Sequence, residues 1–557
     1  MPVLKPASEW GHSVPPESNY AITTYIPGWE SSIKIREGDQ ATISRIVHIY
    51  PRFGPFRTVA EVSCSGFVLT LTAICAKIQT PAGHGAFYFT SPRSFDVVRA
   101  HALHPRRKDH LLGEEDLGYR CVDIGGVRVY LVTYPLHKTP GVMGAWQNPG
   151  IGVSIRLAEY LQKNLDSLTE VTFPVGSPPP STGYLPEGEA HGRLRERISG
   201  LVHRAAINPE KVKVQSKDVF LYMTGMAAIF GAHHILLKHR PGSVAILGIV
   251  FHSTIHYIQE SSPHGYKHFG LVDAKGLDSF EAWLDEQEAS GKDVSYVITE
   301  FPSNPLLASI DVVRLKKLSE KHNFVVILDD TVGSFANIDI LEYSDILLSS
   351  LTKSFSGYAN VMGGSVVLNP QSSHYNAISQ LWSKNFHNEL YIGDAETLLS
   401  NSEDYLSRTA ILNRNAAAMA AHLYSLVKDP SSPIIKVSYP PYLPDYGVYK
   451  SFLRRSSPEL EEPGAGCLFS IDFETVDTAR AFYDRLAFYP GPHLGAHRTL
   501  SLSYNTLAFG KDPEEAAYLR SFGLVEESVR ISAGLEDVQD LLDTLDDALA
   551  VAKAAKK

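Results

Sequence analysis

Two stretches decide the fold of this chain: residues 324–331, FVVILDDT, and residues 345–357, DILLSSLTKSFSG. Each begins with a continuous apolar run, which is typical of a strand buried on both faces of a parallel sheet. Each ends in a short polar loop, the first with two aspartates and the second with a lysine among hydroxyl groups. A lysine in a loop is ordinarily exposed to solvent. Other features of the sequence are therefore needed to show whether this lysine has a function.

Apolar runs and amphipathic segments alternate on both sides of these stretches. The runs VFLYM, SVAILGIVF, VSYVITEF and GGSVVL predict strands, and the segments between them have the apolar spacing of helices. Continuous strands separated by single helices indicate a mostly parallel sheet with helices on both faces. The predicted fold class is therefore α/β, with a large sheet domain followed by a smaller α+β domain.

Changes in composition and in the apolar pattern divide the 557 residues of the sequence into four parts. Residues 1–53 are rich in Pro, Tyr and Ile and are expected to form an N-terminal arm. Residues 54–189 are expected to form an extension or inserted domain that ends in a Pro/Gly/Ser-rich linker. Residues 190–395 carry the alternating strands of the large domain, and residues 396–557 begin with a long helix and form the small domain.

The composition excludes several classes of protein. The content of 44% hydrophobic and 20% charged residues is typical of a globular protein, and the apolar runs are too short to span a bilayer. A formal charge of −10 without a long basic stripe argues against nucleic acid as a partner. The four cysteines show no metal-ligand spacing, so no metal site is expected. Few cysteines and no secretory pattern at the start predict a cytoplasmic location.

Polar side chains follow several of the predicted strands, at the edge where ligands bind in parallel sheets. The segment 224–226, TGM, begins a helix whose free N–H groups suit a phosphate. Asp329 ends a buried strand, where a carboxylate is costly unless it meets a cation. Asn304 stands between two prolines that restrict its backbone. Taken singly, these residues are more simply explained as a helix cap, a capping aspartate and a turn asparagine.

Lys353 follows one strand-helix step after Asp329 and is flanked by the hydroxyl groups of Ser350 and Thr352, which are able to bind an anion. A lysine that forms a Schiff base must be partly neutral and must face a carbonyl group. The small residues that follow Lys353 leave room for a bulky cofactor. Four such strand ends in succession therefore predict one binding site.

Together these motifs resemble those of the fold type I pyridoxal 5′-phosphate enzymes of cysteine and methionine metabolism, which include cystathionine synthases and lyases and homoserine-ester sulfhydrylases. The matching segments are SLTK at 350–353, MTGMAAI at 223–229, LDDT at 328–331, EFPSNPLL at 300–307 and VRISAGLED at 529–537. The resemblance covers about residues 190–557 and implies a mostly parallel seven-stranded sheet. In the first 53 residues GHSVPPES, IPGW and YPRF resemble the long fungal cystathionine γ-synthase-like proteins.

The resemblance implies a role for each residue of the site. Lys353 would hold pyridoxal 5′-phosphate as a Schiff base and then act as the proton shuttle, and Asp329 would pair with the pyridinium nitrogen. Arg530 would bind the substrate α-carboxylate, and Asn304 would reach the ring oxygen of the cofactor and the substrate. The cofactor phosphate would be held by Gly225, Met226, Ser350 and Thr352.

Three positions depart from the family pattern. Phe251 stands where the family has a ring-stacking tyrosine, so stacking is expected without a phenol group. Tyr50 and Arg52 are the nearest candidates for the Tyr-x-Arg with which a partner subunit grips the phosphate, which implies a homodimer or homotetramer with shared active sites. His493 opens a loop, HLGAHRT, in place of SLGGxES, and is expected near the substrate.

The resemblance implies a transferase that performs γ-substitution on an activated L-homoserine, first of all O-acetyl-L-homoserine, with cysteine as the nucleophile. Three enzymatic alternatives remain: sulfide as the nucleophile, a carbon nucleophile such as acetoacetate in fungal secondary metabolism, and a lyase of cystathionine or methionine. A non-enzymatic binding protein on a decayed fold is the alternative from another class. The retention of Lys353, Asp329, Asn304 and Arg530 together argues against it.

Overall fold

The computed structural model describes residues 4–48, 50, 66–174, 177, 185–509 and 512–556, with backbone alone for 66–70. Within these ranges the chain builds three sheets, of four, seven and five strands. In the same ranges no helix is both long enough and apolar enough to cross a membrane. The four-part division of the chain stays a proposal, and the separate sheets support it.

The N-terminal arm carries helices α1 (Trp29–Arg36) and α2 (Gln40–Ser44) and lies across the rest of the chain. The N–H of Ile22 donates to the carbonyl of Ala359 at 2.8 Å, and the N–H of Trp29 donates to Asp484 at 2.6 Å. The buried indole of Trp29 packs edge-on against Tyr483. These contacts anchor the arm on its own chain.

The four-stranded sheet is antiparallel, in the order β1-β3-β2-β4. In chain order its elements are α3 (Gly66–Lys77), β1 (His84–Phe89), α4 (Ser94–Ala102), β2 (Gly118–Ile124), β3 (Val127–Pro135), α5 (Thr139–Gln147), α6 (Ile155–Lys163) and β4 (Thr169–Glu170). Glu260, which lies in the part of the chain that forms the seven-stranded sheet, anchors the four-stranded sheet region to it. Its carboxylate contacts His101 at 2.8 Å and also contacts Arg107. Burial acts to raise the pKa of Glu260, but the interactions of its carboxylate with His101 and Arg107 lower that pKa to about 2.

The seven-stranded sheet has the order β5-β11-β10-β9-β8-β6-β7. Its elements are α7 (Glu189–His203), β5 (Val219–Tyr222), α8 (Gly225–His239), β6 (Ser243–Leu247), α9 (His252–Ser261), β7 (Tyr266–Phe269), α10 (Ala274–Ala289), β8 (Val294–Glu300), α11 (Val312–His322), β9 (Val325–Asp329), α12 (Ser334–Asn337), β10 (Ile346–Ser349), β11 (Gly364–Leu368) and α13 (Tyr375–Asn385). Strands β7, β6, β8, β9 and β10 are parallel, and β11 is antiparallel to both its neighbours. The predicted α/β fold with a mostly parallel seven-stranded sheet is confirmed.

The five-stranded sheet, in the order β12-β13-β16-β15-β14, belongs to the C-terminal part. Its elements are α14 (Ile392–Asn401), α15 (Tyr405–Ser425), β12 (Ile434–Ser438), α16 (Tyr446–Ser451), β13 (Leu468–Phe473), α17 (Val476–Arg485), β14 (Tyr489–Pro490), β15 (Leu500–Leu502), α18 (Tyr504–Phe509), α19 (Pro513–Arg520), β16 (Ser528–Ser532) and α20 (Val538–Ala555). Strand β16 is the one that carries Arg530, and the packing of this sheet turns that side chain into the protein.

Candidate active site

A cavity with about 850 Å³ of empty space, part of it open to solvent, lies where strands β8, β9 and β10 end. Glu300 ends β8 and Asp329 ends β9, while Ser350 directly follows β10. Ten of the predicted site residues line the cavity: Tyr50, Gly225, Met226, Phe251, Asn304, Asp329, Ser350, Thr352, Lys353 and Arg530. His493 is not among the lining residues, and Arg52 lies outside the described residues.

Lys353 projects from a loop that several backbone contacts hold in shape. The N–H of Gly357 donates to the carbonyl of Lys353 at 2.8 Å, and Arg408 donates to the carbonyls of Ser354 and Phe355. Gly357 has a φ of +74° and packs against the Arg408 guanidinium, where no Cβ would fit. The loop is therefore rigid, and the lysine amine points from it into the cavity.

The amine of Lys353 contacts the phenol of Tyr50, which belongs to the N-terminal arm. Its Nζ donates to Tyr50 Oη at 3.1 Å and lies 5.2 Å from the centre of the Tyr50 ring. In the described chain this tyrosine belongs to the chain's own arm. The contribution of a partner subunit to the site stays a prediction. Homo-oligomerisation itself stays a proposal.

Replacing Tyr50 with phenylalanine is expected to lower kcat about 10-fold, because it removes the hydrogen bond that holds the lysine amine in place. Steady-state kinetics with the cofactor-loaded enzyme would measure this effect. Tyr25→Phe is the matched control, because Tyr25 is also on the arm but its ring contacts Tyr489. Equal activity of the Tyr50 variant and the wild type would show that the phenol does not position Lys353.

Two buried carboxyl groups face the cavity. Asp329 accepts a hydrogen bond from the N–H of Thr331 at 2.9 Å, and burial raises the pKa of Asp329 to about 6. Burial and the neighbouring Asp329 raise the pKa of Glu300 well above its ordinary value. Of the pair, Glu300 holds a proton more tightly, so Asp329 carries the negative charge at neutral pH. A buried carboxylate of this kind suits a cationic partner such as a pyridinium nitrogen.

Glu300 lines the cavity and belongs to the motif EFPSNPLL, but the sequence alone predicted no role for it. Its carboxyl group accepts hydrogen bonds from the N–H of Phe251 at 2.6 Å and from the N–H of Asn304 at 2.9 Å. It therefore fixes the backbone of two residues that line the cavity. The signal that identified Asp329, an acidic residue at the end of a buried strand, applies equally to Glu300.

The start of helix α8 forms an anion cradle. Thr224 caps the helix by accepting the N–H of Ala227 at 2.9 Å, which leaves the N–H groups of Gly225 and Met226 in the first turn, where the helix supplies no acceptor. A Cβ on Gly225 would lie 2.8 Å from Ser350 Cβ, so glycine permits the close approach of the two loops. These N–H groups and the Ser350 hydroxyl suit a phosphate.

Thr352 is the other hydroxyl residue expected at the phosphate. In the structure its side chain stabilises the loop that carries Lys353 through hydrogen bonds. Its Oγ1 donates to the carbonyl of Gly363 at 3.1 Å and accepts the N–H of the same residue at 3.0 Å. The donor capacity of this hydroxyl is thus engaged within the protein. Thr352 lines the cavity, and its role in phosphate binding stays a prediction.

Arg530 lies on the opposite wall and is fully buried. Its Nη1 donates to Asn304 Oδ1 at 3.0 Å, and its Nη2 donates to the carbonyl of Pro492 at 2.7 Å. The guanidinium stacks 4.5 Å from the centre of the Tyr504 ring. Burial lowers the pKa of Arg530 from its ordinary value, while the Tyr504 and Tyr50 phenols act in the other direction. A planar cation held in this way is suited to a carboxylate.

The loop at 493–499 lies beside the candidate active site. The His493 ring is fully buried and lies beside the backbone of Thr352. Burial and the positive charge of Lys353 lower the pKa of His493 well below its ordinary value, so the ring is neutral. His497 Nε2 and Arg498 Nε contact the carbonyl of Pro15 at 2.8 and 3.3 Å. The altered loop therefore docks the arm, and contact of His493 with substrate stays a prediction.

A family model described as Cys/Met metabolism PLP-dependent enzyme matches residues 211–550. Alanine racemase ungC of Aspergillus violaceofuscus is 33% identical over 77% of this chain and 74% of its own length. The cystathionine γ-synthase-like enzyme iboG2 of Amanita muscaria is 30% identical over 98% of this chain and 97% of its own length. The cystathionine γ-synthase of Neurospora crassa is 27% identical over 98% of this chain and 99% of its own length.

Solved structures share the fold. The crystal structure of cystathionine γ-synthase from Xanthomonas oryzae in complex with cystathionine aligns with a TM-score of 0.53 and 21% sequence identity. The alignment covers 69% of this chain and 92% of the Xanthomonas chain. The cystathionine γ-lyase of Lactobacillus plantarum aligns with a TM-score of 0.52 and 22% identity over 69% of this chain.

Proposed function

Because this chain belongs to the family of PLP-dependent enzymes of cysteine and methionine metabolism, we propose that it catalyses γ-substitution on an activated L-homoserine, with O-acetyl-L-homoserine as the first candidate. The observation that carries the proposal is the meeting of Lys353, Asp329 and Arg530 at one cavity. Full-length similarity to fungal proteins named as cystathionine γ-synthase or γ-synthase-like supports the same class of chemistry.

The residues of the cavity fit pyridoxal 5′-phosphate. Asp329 is a buried anion in need of a cation, and the start of helix α8 with Ser350 forms a phosphate cradle in the same cavity. Lys353 lines this cavity as well. When bound, the cofactor supplies an aldehyde that links to amines and a protonated ring that accepts the electron pair released at Cα.

The protein residues then have separate tasks. Arg530 holds the substrate α-carboxylate and so turns the Cα–H bond towards Lys353. The amine of Lys353 takes the Cα proton and later returns a proton to the carbon chain. Tyr50 and Ile22 of the arm close the cavity on one side and keep water from the reacting carbons. In the net reaction the Cγ–O bond breaks, acetate and one proton leave, and a bond forms between Cγ and the nucleophile.

Cysteine is the nucleophile that the sequence resemblance implies, and the name of the Neurospora relative supports it. The charges of the cavity favour a second candidate, a carbon nucleophile such as a β-keto acid. Among the described residues, the acidic and basic side chains that line the cavity are Glu300, Asp329, Lys353 and Arg530, of which Glu300 is protonated. Each of these has a partner or a task already. A β-keto acid would bring one further charged group, its carboxylate, whereas cysteine would bring both a carboxylate and an ammonium group.

The direct test mixes the cofactor-loaded enzyme and O-acetyl-L-homoserine with cysteine, sulfide, acetoacetate or no nucleophile, and identifies the products by mass spectrometry. Cystathionine as the main product supports the cysteine-dependent reaction. A carbon-linked amino acid supports the second candidate. Ketobutyrate and ammonia with every nucleophile would contradict γ-substitution and identify a lyase.

Replacing Arg530 with lysine is expected to raise KM for the amino-acid substrate about 10- to 100-fold, because lysine keeps the charge but cannot form the bidentate contact. The readouts are steady-state kinetics and the substrate concentration that half-saturates the spectral change of the cofactor. Arg520→Lys is the matched control, since Arg520 is exposed and pairs with Glu527 outside the cavity. An unchanged KM for the Arg530 variant would place the α-carboxylate elsewhere.

A further inference from the structure

The four-stranded sheet region, residues 66–174, packs against the helix that carries the anion cradle. It precedes residues 211–550, which the family model matches, so the family pattern gives this region no task. Side chains of the region such as Phe87 and Trp146 belong to the same hydrophobic core as Met226 in the first turn of α8. The region and the start of α8 are therefore one packed unit.

One hydrogen bond joins this region to the residue that caps α8. The Thr224 hydroxyl donates to the carbonyl of Gly150 at 2.9 Å, and the same oxygen accepts the N–H of Ala227 at 2.9 Å. Gly150 has a φ of +65°, and a Cβ on it would lie 2.4 Å from Thr224 Oγ1 and 2.9 Å from Met226 Cβ. Glycine permits this close approach of the backbone. The position of Gly150 therefore fixes the cap and, with it, the N–H groups of the first turn.

The segment that carries Gly150 is itself held by the four-stranded sheet. Gly152 forms an antiparallel bridge with Phe89, which ends the edge strand β1. A Cβ on Gly152 would lie 2.2 Å from Trp146 Nε1, so glycine also lets the chain pass close to this buried indole. The Trp146 ring in turn stacks on Phe87 of β1. The sheet thus sets where Gly150 lies relative to α8.

A second contact supports the other side of the cradle. Arg156 of α6 donates from Nη1 to the carbonyl of Asn360 at 2.9 Å and pairs with Asp394 at 3.2 Å. Shortly after Asn360, Gly363 exchanges two hydrogen bonds with the Thr352 hydroxyl. The four-stranded sheet region therefore holds both the start of α8 and the segment that supports the loop after β10.

We propose that the four-stranded sheet region positions the two sides of the cradle and so sets the affinity of the protein for the phosphate group of the cofactor. Gly150 and Arg156 are positioning residues, since they act through Thr224 and the segment 360–363. The inference rests on the proposed site, in which the cofactor phosphate lies at the start of α8, but it does not depend on the nucleophile. Disturbing either contact should weaken binding of pyridoxal 5′-phosphate more than binding of pyridoxal, which lacks the phosphate.

The test measures the dissociation constants of pyridoxal 5′-phosphate and pyridoxal by absorbance titration of the cofactor-free full chain. Gly150→Ala is expected to weaken binding of pyridoxal 5′-phosphate about 10-fold or more, because the added Cβ displaces the Thr224 cap and moves N–H donors away from a charged acceptor. Binding of pyridoxal should change less than about 3-fold. An equal change for the two ligands, or unchanged binding of pyridoxal 5′-phosphate, would overturn the inference.

Gly126→Ala is the matched control for the strain of an alanine at this kind of backbone position. Gly126 lies in the turn between β2 and β3 of the same region and has a φ of +80°, but an added Cβ there would meet open space. This variant should leave both dissociation constants unchanged. A loss of phosphate-dependent affinity in the control as large as that in Gly150→Ala would show that general destabilisation is the cause, and would overturn the inference.

Arg156→Ala tests the second contact and still gives an answer if Gly150→Ala does not fold. It is expected to weaken binding of pyridoxal 5′-phosphate about 3- to 10-fold and to leave binding of pyridoxal unchanged. Arg120→Ala is the control, because Arg120 also joins an ion pair and a backbone carbonyl, with Glu170 and Ile78, but within the four-stranded sheet region itself. The same affinities in both arginine variants would contradict the role of Arg156.

Phosphorus NMR of the bound cofactor gives a readout that a purely structural role would not move. The resonance of the phosphate should shift in Gly150→Ala and in Thr224→Val, but not in Gly126→Ala or in Thr224→Ser, which keeps the hydroxyl for both of its hydrogen bonds. A wild-type protein that binds pyridoxal 5′-phosphate no more tightly than pyridoxal would contradict the phosphate position in the proposed site. A wild-type preference for the phosphate that every variant keeps would contradict the role of the four-stranded sheet region alone.

Discussion

Replacing Lys353 with alanine is expected to lower kcat at least about 10³-fold and to remove the visible absorbance band of the lysine-bound cofactor. The loss in rate follows because, in the proposed function, the same amine both links to the cofactor and moves the Cα proton, and a positioned general base alone contributes roughly 10²- to 10⁴-fold. Absorbance spectroscopy and single-turnover kinetics on the reconstituted protein measure the two effects. The fold should be retained, since the loop is held by backbone contacts of its neighbours and by Arg408.

Lys238→Ala is the matched control for the loss of a lysine. Lys238 lies near the end of helix α8, whose first turn faces the cavity, and its amine contacts Asn385 at the surface. That variant should keep both the visible band and the activity. Added methylamine should partly restore turnover to the Lys353 variant, because it supplies a free amine in the vacated space. A Lys353 variant that keeps its band, or that loses less than about 10-fold in kcat, would rule out the proposed role of this lysine.

The sequence predicts the large sheet well because its strands are buried on both faces. Such strands appear as continuous apolar runs, and the polar residue at the end of each run marks the ligand edge. Asp329 and Lys353 were identified in this way, and the structure brings them to one cavity. The resemblance added Arg530, which is 177 residues from Lys353 in the chain and could not be joined to it by any local pattern.

The path of the arm could not be predicted from local patterns, because it depends on contacts between distant segments. Ile22 and Tyr50 reach the cavity only because Trp29 and the loop at 493–499 fix the arm to the C-terminal part. Arg52, expected to act beside Tyr50, lies outside the described residues and stays a prediction.

Replacing Asp329 with asparagine is expected to stabilise the cofactor-free protein and to disable the enzyme. The pKa of Asp329 in the fold, about 6, lies above its ordinary value of 3.8, so the ionised carboxylate destabilises the folded state. This penalty is absent below about pH 4, grows as the pH rises to about 6, and is complete above it. Asparagine removes the penalty and also the repulsion on Glu300. The expected gain in the free energy of unfolding at pH 7 is on the order of 1 to 3 kcal/mol.

In the proposed site the cofactor would reverse the effect of the charge, because its pyridinium nitrogen would form an ion pair with the Asp329 carboxylate that destabilises the cofactor-free protein. The asparagine variant should therefore bind pyridoxal 5′-phosphate more weakly and lose about 10³-fold or more in kcat, since it cannot keep the ring protonated. Thermal unfolding of the cofactor-free proteins between pH 4 and 8, with cofactor titrations at pH 7, measures both halves of the prediction.

Asp330→Asn separates the two effects. Asp330 is also buried, which raises its pKa to about 7, but it does not line the cavity. Its replacement should stabilise the cofactor-free protein in the same pH range while leaving cofactor affinity intact. If Asp329→Asn binds the cofactor as tightly as the wild type, the carboxylate does not pair with the ring nitrogen. If instead the cofactor-free variant is less stable at pH 7, the buried charge of Asp329 is already compensated by the protein, and its position at the end of β9 serves the fold more than the cofactor.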